Sequence, residues 1–196
     1  MNKWDKLIKK DAEFYTYANN VIDYWLSGEE HYNQFIKNDE VLKNHLGSFS
    51  DKTCLDYGCG IGRITKFIAN DFKKVFGLDI SEEAIKLAKQ NVTNENVKFI
   101  KADLRKKLDI KADLIFSSMV LQHLTKDEQK KILGGLKNLL KNNGIVKIQV
   151  RGREIDKYQW YSGDCISVNE VVETTGLKLI KSEYTTPKEL WIWLKK

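Results

Sequence analysis

Residues 54–63 read CLDYGCGIGR, a short apolar run breaking into three glycines at alternate positions. Glycine at this density marks a backbone that turns tightly or approaches another group closely. The loop could serve several nucleotide-binding designs, and its neighbours discriminate among them. A triphosphate-binding P-loop needs Lys-Ser/Thr after its last glycine, but Gly62 is followed by Arg63 and Ile64. The dinucleotide fingerprint G-x-G-x-x-G fits Gly58 and Gly60 and then fails at Arg63, where a large cation opposes close helix–strand packing. The spacing is instead Asp56-x-Gly58-x-Gly60-x-Gly62.

Outward from the loop, strands and helices alternate. TCLDYG predicts a strand and RITKFIANDF a helix with Ile64, Phe67 and Ile68 on one face. KVFGLDI predicts a second strand. SEEAIKLAKQNV predicts a helix opened by Ser81, with Glu82 and Glu83 in its first turn. VKFIKADL and ADLIFSSMV are the third and fourth strands. KDEQKKILGGLKNLLKNNG predicts a helix stopped at Asn-Asn-Gly, and IVKIQV the fifth strand. SVNEVVETTG predicts a helix from Ser167 to Gly176, and LKLIKSEY and ELWIWLKK close the chain as two strands. Residues 1–46 predict helix throughout, from the spacing of Trp4, Leu7, Ile8, Phe14, Tyr15, Tyr17, Val21, Tyr24 and Trp25. This alternation specifies an α/β fold with a mostly parallel sheet and helices on both faces. Ligands of such sheets sit beyond the carboxyl ends of the strands. That rule selects Asp56 to Gly62, Asp79, Asp103 and the residues from Ser117 onward.

The chain has 196 residues, enough for one domain with a full core. Hydrophobic residues are 42% and charged residues 31%, as in soluble globular proteins. No apolar run approaches membrane-spanning length and no signal peptide is evident, so a cytoplasmic location without membrane association is expected. The net charge of +6 comes from lysines spread along the chain, which argues for a solvated surface rather than nucleic-acid binding. Cys54, Cys59 and Cys165 follow no zinc spacing, and no metal is expected. Cys54 is placed in a buried strand and Cys59 as a small loop filler.

The ordered set of glycine loop and downstream acids resembles the class I S-adenosylmethionine-dependent methyltransferases over about residues 50–196. The resemblance implies a Rossmann-like seven-stranded sheet with an antiparallel last strand, here behind an N-terminal helical cap over residues 1–48, in a single domain with a core over 49–196. It implies S-adenosylmethionine as cofactor and S-adenosylhomocysteine as product. Asp79, 23 residues after Asp56, matches the acid that accepts both ribose hydroxyls, and Asp103 the acid at the adenine amino group. Asp56 would hold the loop and the cofactor's ammonium. Gly58, Gly60, Gly62, Arg63, Ile80, Leu104 and Ser117 complete the expected donor-binding set. Arg63 reads equally as a cofactor-carboxylate ligand and as a helix-surface residue.

Methyl transfer is an in-line displacement that needs alignment and exclusion of water. A base is needed where the acceptor holds its proton firmly. His123, shortly after the fourth strand, is the candidate base, with a structural turn residue as the alternative; His31 and His45 lie in the N-terminal helices. Position 117–120 reads Ser-Ser-Met-Val, not the Asn/Asp-Pro-Pro-Tyr of adenine and glutamine methylators. The chain lacks the Pro-Cys of cytosine C5 enzymes and the paired glutamates of arginine methyltransferases. A small polar metabolite is therefore expected as acceptor, methylated on O or N, with phosphorylated compounds and polysaccharide precursors as candidates. Arg151, Arg153, Tyr158, Trp160 and Tyr161 would line its pocket, with Tyr15 and Tyr17 closing from the N-terminal side. A monomer or homodimer is expected. The competing readings are a non-catalytic cofactor-binding partner subunit and an RNA methyltransferase.

Overall fold

The computed structural model describes residues 2–17, 23–103, 108–152 and 163–196. They fall into two compact units, Met1–Asp103 and Leu104–Lys196.

In the first unit the predicted helical segment is divided into short helices: α1 (Lys3–Lys10), α2 (Ala12–Tyr17), α3 (Tyr24–Tyr32) and α4 (Glu40–Leu46), with a π-helical turn at Asn33–Lys37. The divisions fall at acids. Asp23 accepts from the backbone N–H groups of Trp25 and Leu26, and Asp39 from that of Leu42. Asp11 ends α1 and accepts from Phe14 N–H. Short carboxylates compete for the backbone in this way, so apolar spacing continues where the helix does not.

Strands β1 (Thr53–Tyr57), β2 (Lys74–Asp79) and β3 (Val97–Lys101) pair in parallel, with Asp56 beside Gly77 and Tyr57 beside Leu78. Every residue of β1 is buried, including Cys54. Helix α5 (Thr65–Asp71) starts two residues later than its sequence suggests, because Arg63 and Ile64 remain in the turn. Helix α6 (Glu82–Asn91) is capped by Ser81 as predicted, its hydroxyl accepting from Ala84 N–H. Cys59 packs with Ile85, Ala88, Val92 and Phe99, in keeping with a loop filler.

The second unit holds β4 (Ala112–Ser117), α7 (Lys126–Leu139), β5 (Leu140–Arg151), α8 (Val168–Thr175), β6 (Lys178–Thr186) and β7 (Glu189–Lys195). Helix α8 runs from its Ser167 cap to Gly176, whose φ is +58°. The Asn-Asn-Gly stretch does not stop α7, which ends at Leu139. The chain enters β5 directly, and residues 141–144 form a bulge between the Ala112–Leu140 and Leu114–Ile145 pairs. Asn143 supplies the left-handed residue of that bulge, with φ +63°. Strand β7 runs antiparallel to both β5 and β6. The strand order is β3-β2-β1 in the first unit and β4-β5-β7-β6 in the second. Lys147 is fully buried in β5, its ammonium 4.9 Å from the Trp191 ring centroid and 4.6 Å from that of Trp193. No described helix is long and apolar enough to cross a membrane.

Candidate functional site

The glycine loop is sewn to the end of β2. The Leu78 carbonyl accepts from the N–H groups of Gly58 (2.7 Å) and Cys59 (3.0 Å), and the Asp79 Oδ2 from that of Gly60 (3.0 Å). Gly58, Gly60 and Gly62 take φ values of +76°, +54° and +94°. Their spacing therefore encodes three left-handed residues in a turn that carries backbone, not side chains, on its open side. A Cβ on Gly62 would come within 2.8 Å of Val92 Cγ2. That glycine is thus required by packing against the end of α6.

Asp79 is the hinge of the arrangement. Its Oδ1 accepts from Ser81 N–H at 2.8 Å, so one carboxylate orients both the loop and the start of α6. Each oxygen keeps a further lone pair for a ligand hydroxyl. Burial pushes its carboxyl above the ordinary carboxylate range. Beside it Ile80 is 36% exposed, an apolar surface next to paired acceptors. The Asp79 carbonyl accepts from Ala102 N–H, which sets the half-buried Asp103 at the same strand ends. A diol-bearing nucleoside with a flat aromatic base matches these acceptors and surfaces.

Asp56 lies beneath the loop, buried, and accepts from Thr65 Oγ1 at 2.6 Å. Burial raises its pKa from 3.8 to about 6, against the lowering effects of the Thr65 hydroxyl and the Arg63 charge. A carboxyl that titrates higher folded than unfolded gives up stability as pH rises from about 4 to about 6. Asp56→Asn removes that ionisation. The variant is expected to melt above the wild type at pH 7, by the equivalent of on the order of 2–3 kcal/mol, with the gap closing below pH 4. Equal melting temperatures at pH 7 and pH 4 contradict this reading of Asp56.

Arg63 is 5% exposed, which overturns the helix-surface alternative. Its guanidinium donates to Ser27 Oγ (3.2 Å) and His31 Nδ1 (2.8 Å) and lies 5.8 Å from the Tyr24 ring centroid. Gly28 permits this, since a Cβ there would meet the Arg63 carbonyl oxygen at 2.4 Å. Thr16, hydrogen-bonded to the Tyr24 hydroxyl, places its methyl 3.0 Å from the Cβ that Gly60 lacks. Helix α2 therefore passes over the loop. Tyr15 packs on the Ile8–Tyr24–Ile61–Ala84 cluster, and Tyr17 falls in the last turn of α2. Thr16, Ser27 and Gly28 carry no motif that would have singled them out. Asp5 carries only the Asn2-x-x-Asp5 capping pattern as a signal.

In the second unit Ser117 is buried at the end of β4. Gln149 Oε1 accepts from Ser118 Oγ (3.0 Å) and Met119 N–H (2.8 Å), and Met119 has φ +60°. His123 is half-buried in a single 3-10 turn, Leu121–His123. The Gln122 carbonyl accepts from Gly163 N–H, and Arg151 donates to the Gly163 carbonyl at 2.9 Å. One guanidinium nitrogen of Arg151 is thus occupied by a backbone carbonyl. Leu104, Arg153, Tyr158, Trp160 and Tyr161 lie outside the described residues.

The fold is that of the class I S-adenosylmethionine-dependent methyltransferases. More narrowly, residues 54–144 match the family described as a methyltransferase domain. Over 98% of both chains the structure is similar to magnesium protoporphyrin IX methyltransferase from Synechocystis PCC 6803 with bound SAH (TM-score 0.74, 14% identity). It is also similar to the N-methyltransferase NodS from Bradyrhizobium japonicum with SAH (TM-score 0.70, 16% identity, 100% and 99% covered). Among curated sequences it is 34% identical over 143 residues to release factor glutamine methyltransferase of Fusobacterium nucleatum, covering 69% of this chain and 38% of that protein. It is 33% identical over 112 residues to phosphoethanolamine N-methyltransferase 1 of Triticum aestivum, covering 53% and 22%. The chain thus spans well under half the length of these curated relatives.

Proposed function

We propose that the protein is an S-adenosylmethionine-dependent methyltransferase acting on O or N of a small polar metabolite. The observation that carries this is the loop of three left-handed glycines hung from Asp79 beside the exposed Ile80. S-Adenosylmethionine supplies a methyl group on a positively charged sulfonium. When bound, it would give up that methyl as an acceptor O or N lone pair bonds to the methyl carbon and the carbon–sulfur electron pair passes to sulfur, the acceptor's proton leaving to a base or to water. In this reading Asp79 takes the ribose diol, Ile80 lies against the adenine, and Asp103 takes its amino group. The glycine backbone, bare of side chains, beds the amino-acid end. Asp56 adds negative charge under the cationic ligand. Release of S-adenosylhomocysteine by the purified chain with metabolite fractions tests the reading. Turnover supports an enzyme, and donor binding without turnover across the fractions favours the partner-subunit reading.

For the acceptor, the phosphoethanolamine relatives favour a phosphate-bearing small molecule. Arg151 is the described cation assigned to that phosphate, and His123 the assigned base. Arg151→Ala is expected to raise the acceptor KM about tenfold, the effect of losing one charge-assisted hydrogen bond, with the donor KM unchanged. Indifference to Arg151→Ala and a preference for uncharged acceptors count against a phosphorylated acceptor. The glutamine methyltransferase likeness does not carry over its acceptor, because Ser117-Ser118-Met119-Val120 stands where Asn/Asp-Pro-Pro-Tyr would be needed. RNA is the second reading, favoured by relatives described as uncharacterized RNA methyltransferases. RNA binding that falls steeply with salt supports it.

A further inference from the structure

Helix α1 is fastened to the turn that follows β2. Asp5, 6% exposed, accepts at Oδ1 from Ser81 Oγ (2.7 Å) and Glu83 N–H (3.4 Å), and at Oδ2 from Asn2 N–H (3.2 Å). Asn2 returns the capping bond to Asp5 N–H (2.8 Å) and donates its side-chain amide to the Ile80 carbonyl (2.9 Å). Lys9 pairs with Glu83 at 3.1 Å, and Ile8 packs against Ala84 and Ile61. The three residues 79–81 are therefore held from two sides. Asp79 takes the Ser81 N–H and the loop, while Ile80 and Ser81 are gripped by α1 through their carbonyl and hydroxyl. With its carbonyl tied to Asn2, Ile80 still leaves its side chain 36% exposed.

We infer that α1 is a donor-coupled clasp: Asn2 and Asp5 position the Asp79–Ser81 turn for the nucleoside end of the donor, and donor binding tightens α1 onto that turn. The inference rests on the donor site proposed above. An isolated helix of eight residues is marginal in water, so the order of α1 depends on these contacts. A contact that favours the binding-competent turn must in return be favoured by the ligand, because coupling is reciprocal. Asn2 and Asp5 are positioning residues here, acting through the backbone of residues 79–81.

The test is hydrogen exchange over residues 3–10 of the full chain with and without S-adenosylhomocysteine, together with calorimetric affinity for wild type, Asp5→Ala and Asn2→Ala. In the wild type, saturation with the ligand slows exchange in α1. Asp5→Ala binds about tenfold more weakly, a coupling of the usual size between linked sites, and its α1 loses the ligand-dependent protection. Asn2→Ala shifts both readouts in the same direction. A merely structural helix would change melting temperature without responding to the ligand. Wild-type α1 exchange indifferent to ligand, or Asp5→Ala affinity within about twofold of wild type, overturns the clasp. If Asp5→Ala does not fold, the wild-type exchange and Asn2→Ala decide the matter. Failure of the wild type to bind S-adenosylhomocysteine removes the donor site and the clasp together, whereas binding with an indifferent α1 removes the clasp alone.

Discussion

Asp79→Ala is expected to lower affinity for S-adenosylhomocysteine a hundredfold or more while leaving the protein folded. Two charge-assisted hydrogen bonds to a cis-diol are each worth about 1.5–3 kcal/mol, and every 1.4 kcal/mol is about tenfold in affinity. The side chain also orients the site before ligand arrives, since its two oxygens hold Gly60 N–H and Ser81 N–H. The alanine variant leaves both of those donors without this acceptor, so its loop loses order as well as its diol ligand. The stability cost is smaller, about 1–3 kcal/mol for the two backbone groups, because the Leu78 carbonyl still ties the loop through Gly58 and Cys59. Asp79→Asn keeps one acceptor and turns an amide toward the other N–H, so its affinity falls between the two. Calorimetric titration beside a thermal melt separates ligand loss from unfolding. An alanine variant that binds the ligand as the wild type does would remove Asp79 from the site.

Gly62→Ala is expected to damage the fold more than any other single change in the loop. Its φ of +94° strains an L residue, and the new Cβ lies 2.8 Å from Val92 Cγ2 and 3.5 Å from the Phe99 ring. Backbone strain and overpacking together cost about 2–5 kcal/mol, a fall in melting temperature of roughly 5–15 °C for a chain of this size. The neighbouring Gly60→Ala behaves differently. Its φ of +54° is ordinary left-handed space, and its Cβ meets only a threonine methyl, at 3.0 Å. That variant costs about 1 kcal/mol in stability and shows itself in donor affinity, because Thr16 and α2 must give way over the loop. In the Gly62→Ala background, Val92→Ala relieves the contact, so the double variant should be less destabilised than the sum of the two single changes. Strict additivity, or a Gly62→Ala melt equal to wild type, contradicts the packing role.

The contrast between these glycines shows how far the sequence carried the reading. The spacing of Gly58, Gly60 and Gly62 after an apolar run, and Asp79 at the end of the next strand, were legible because loop and acid are each fixed by local chain chemistry. The caps at Ser81, Ser167 and Gly176 were legible for the same reason. That Gly62 faces the core was not, because Val92 and Phe99 reach it from the end of α6 and from β3. Arg63 looked equally suited to surface and ligand. Its burial depends on Gly28, 35 positions earlier, giving α3 room to approach. The Asn-Asn-Gly stretch has the chemistry of a helix stop and of a bulge alike, and the pairing of β5 with β4 selected the bulge. The N-terminal aromatics carried helical spacing straight through Asp11, Asp23 and Asp39, each of which turns out to cap or end a helix. Lys147 read as one polar position in an apolar strand. Its seat between Trp191 and Trp193 comes from a strand more than forty residues later.

Calorimetric titration of the intact chain with S-adenosylhomocysteine tests the central claim most directly. The account predicts saturable one-to-one binding that strengthens from pH 5 to pH 7 as Asp56 ionises, and that is lost in Asp79→Ala. No binding by the wild type, or binding unaffected by Asp79→Ala, contradicts it.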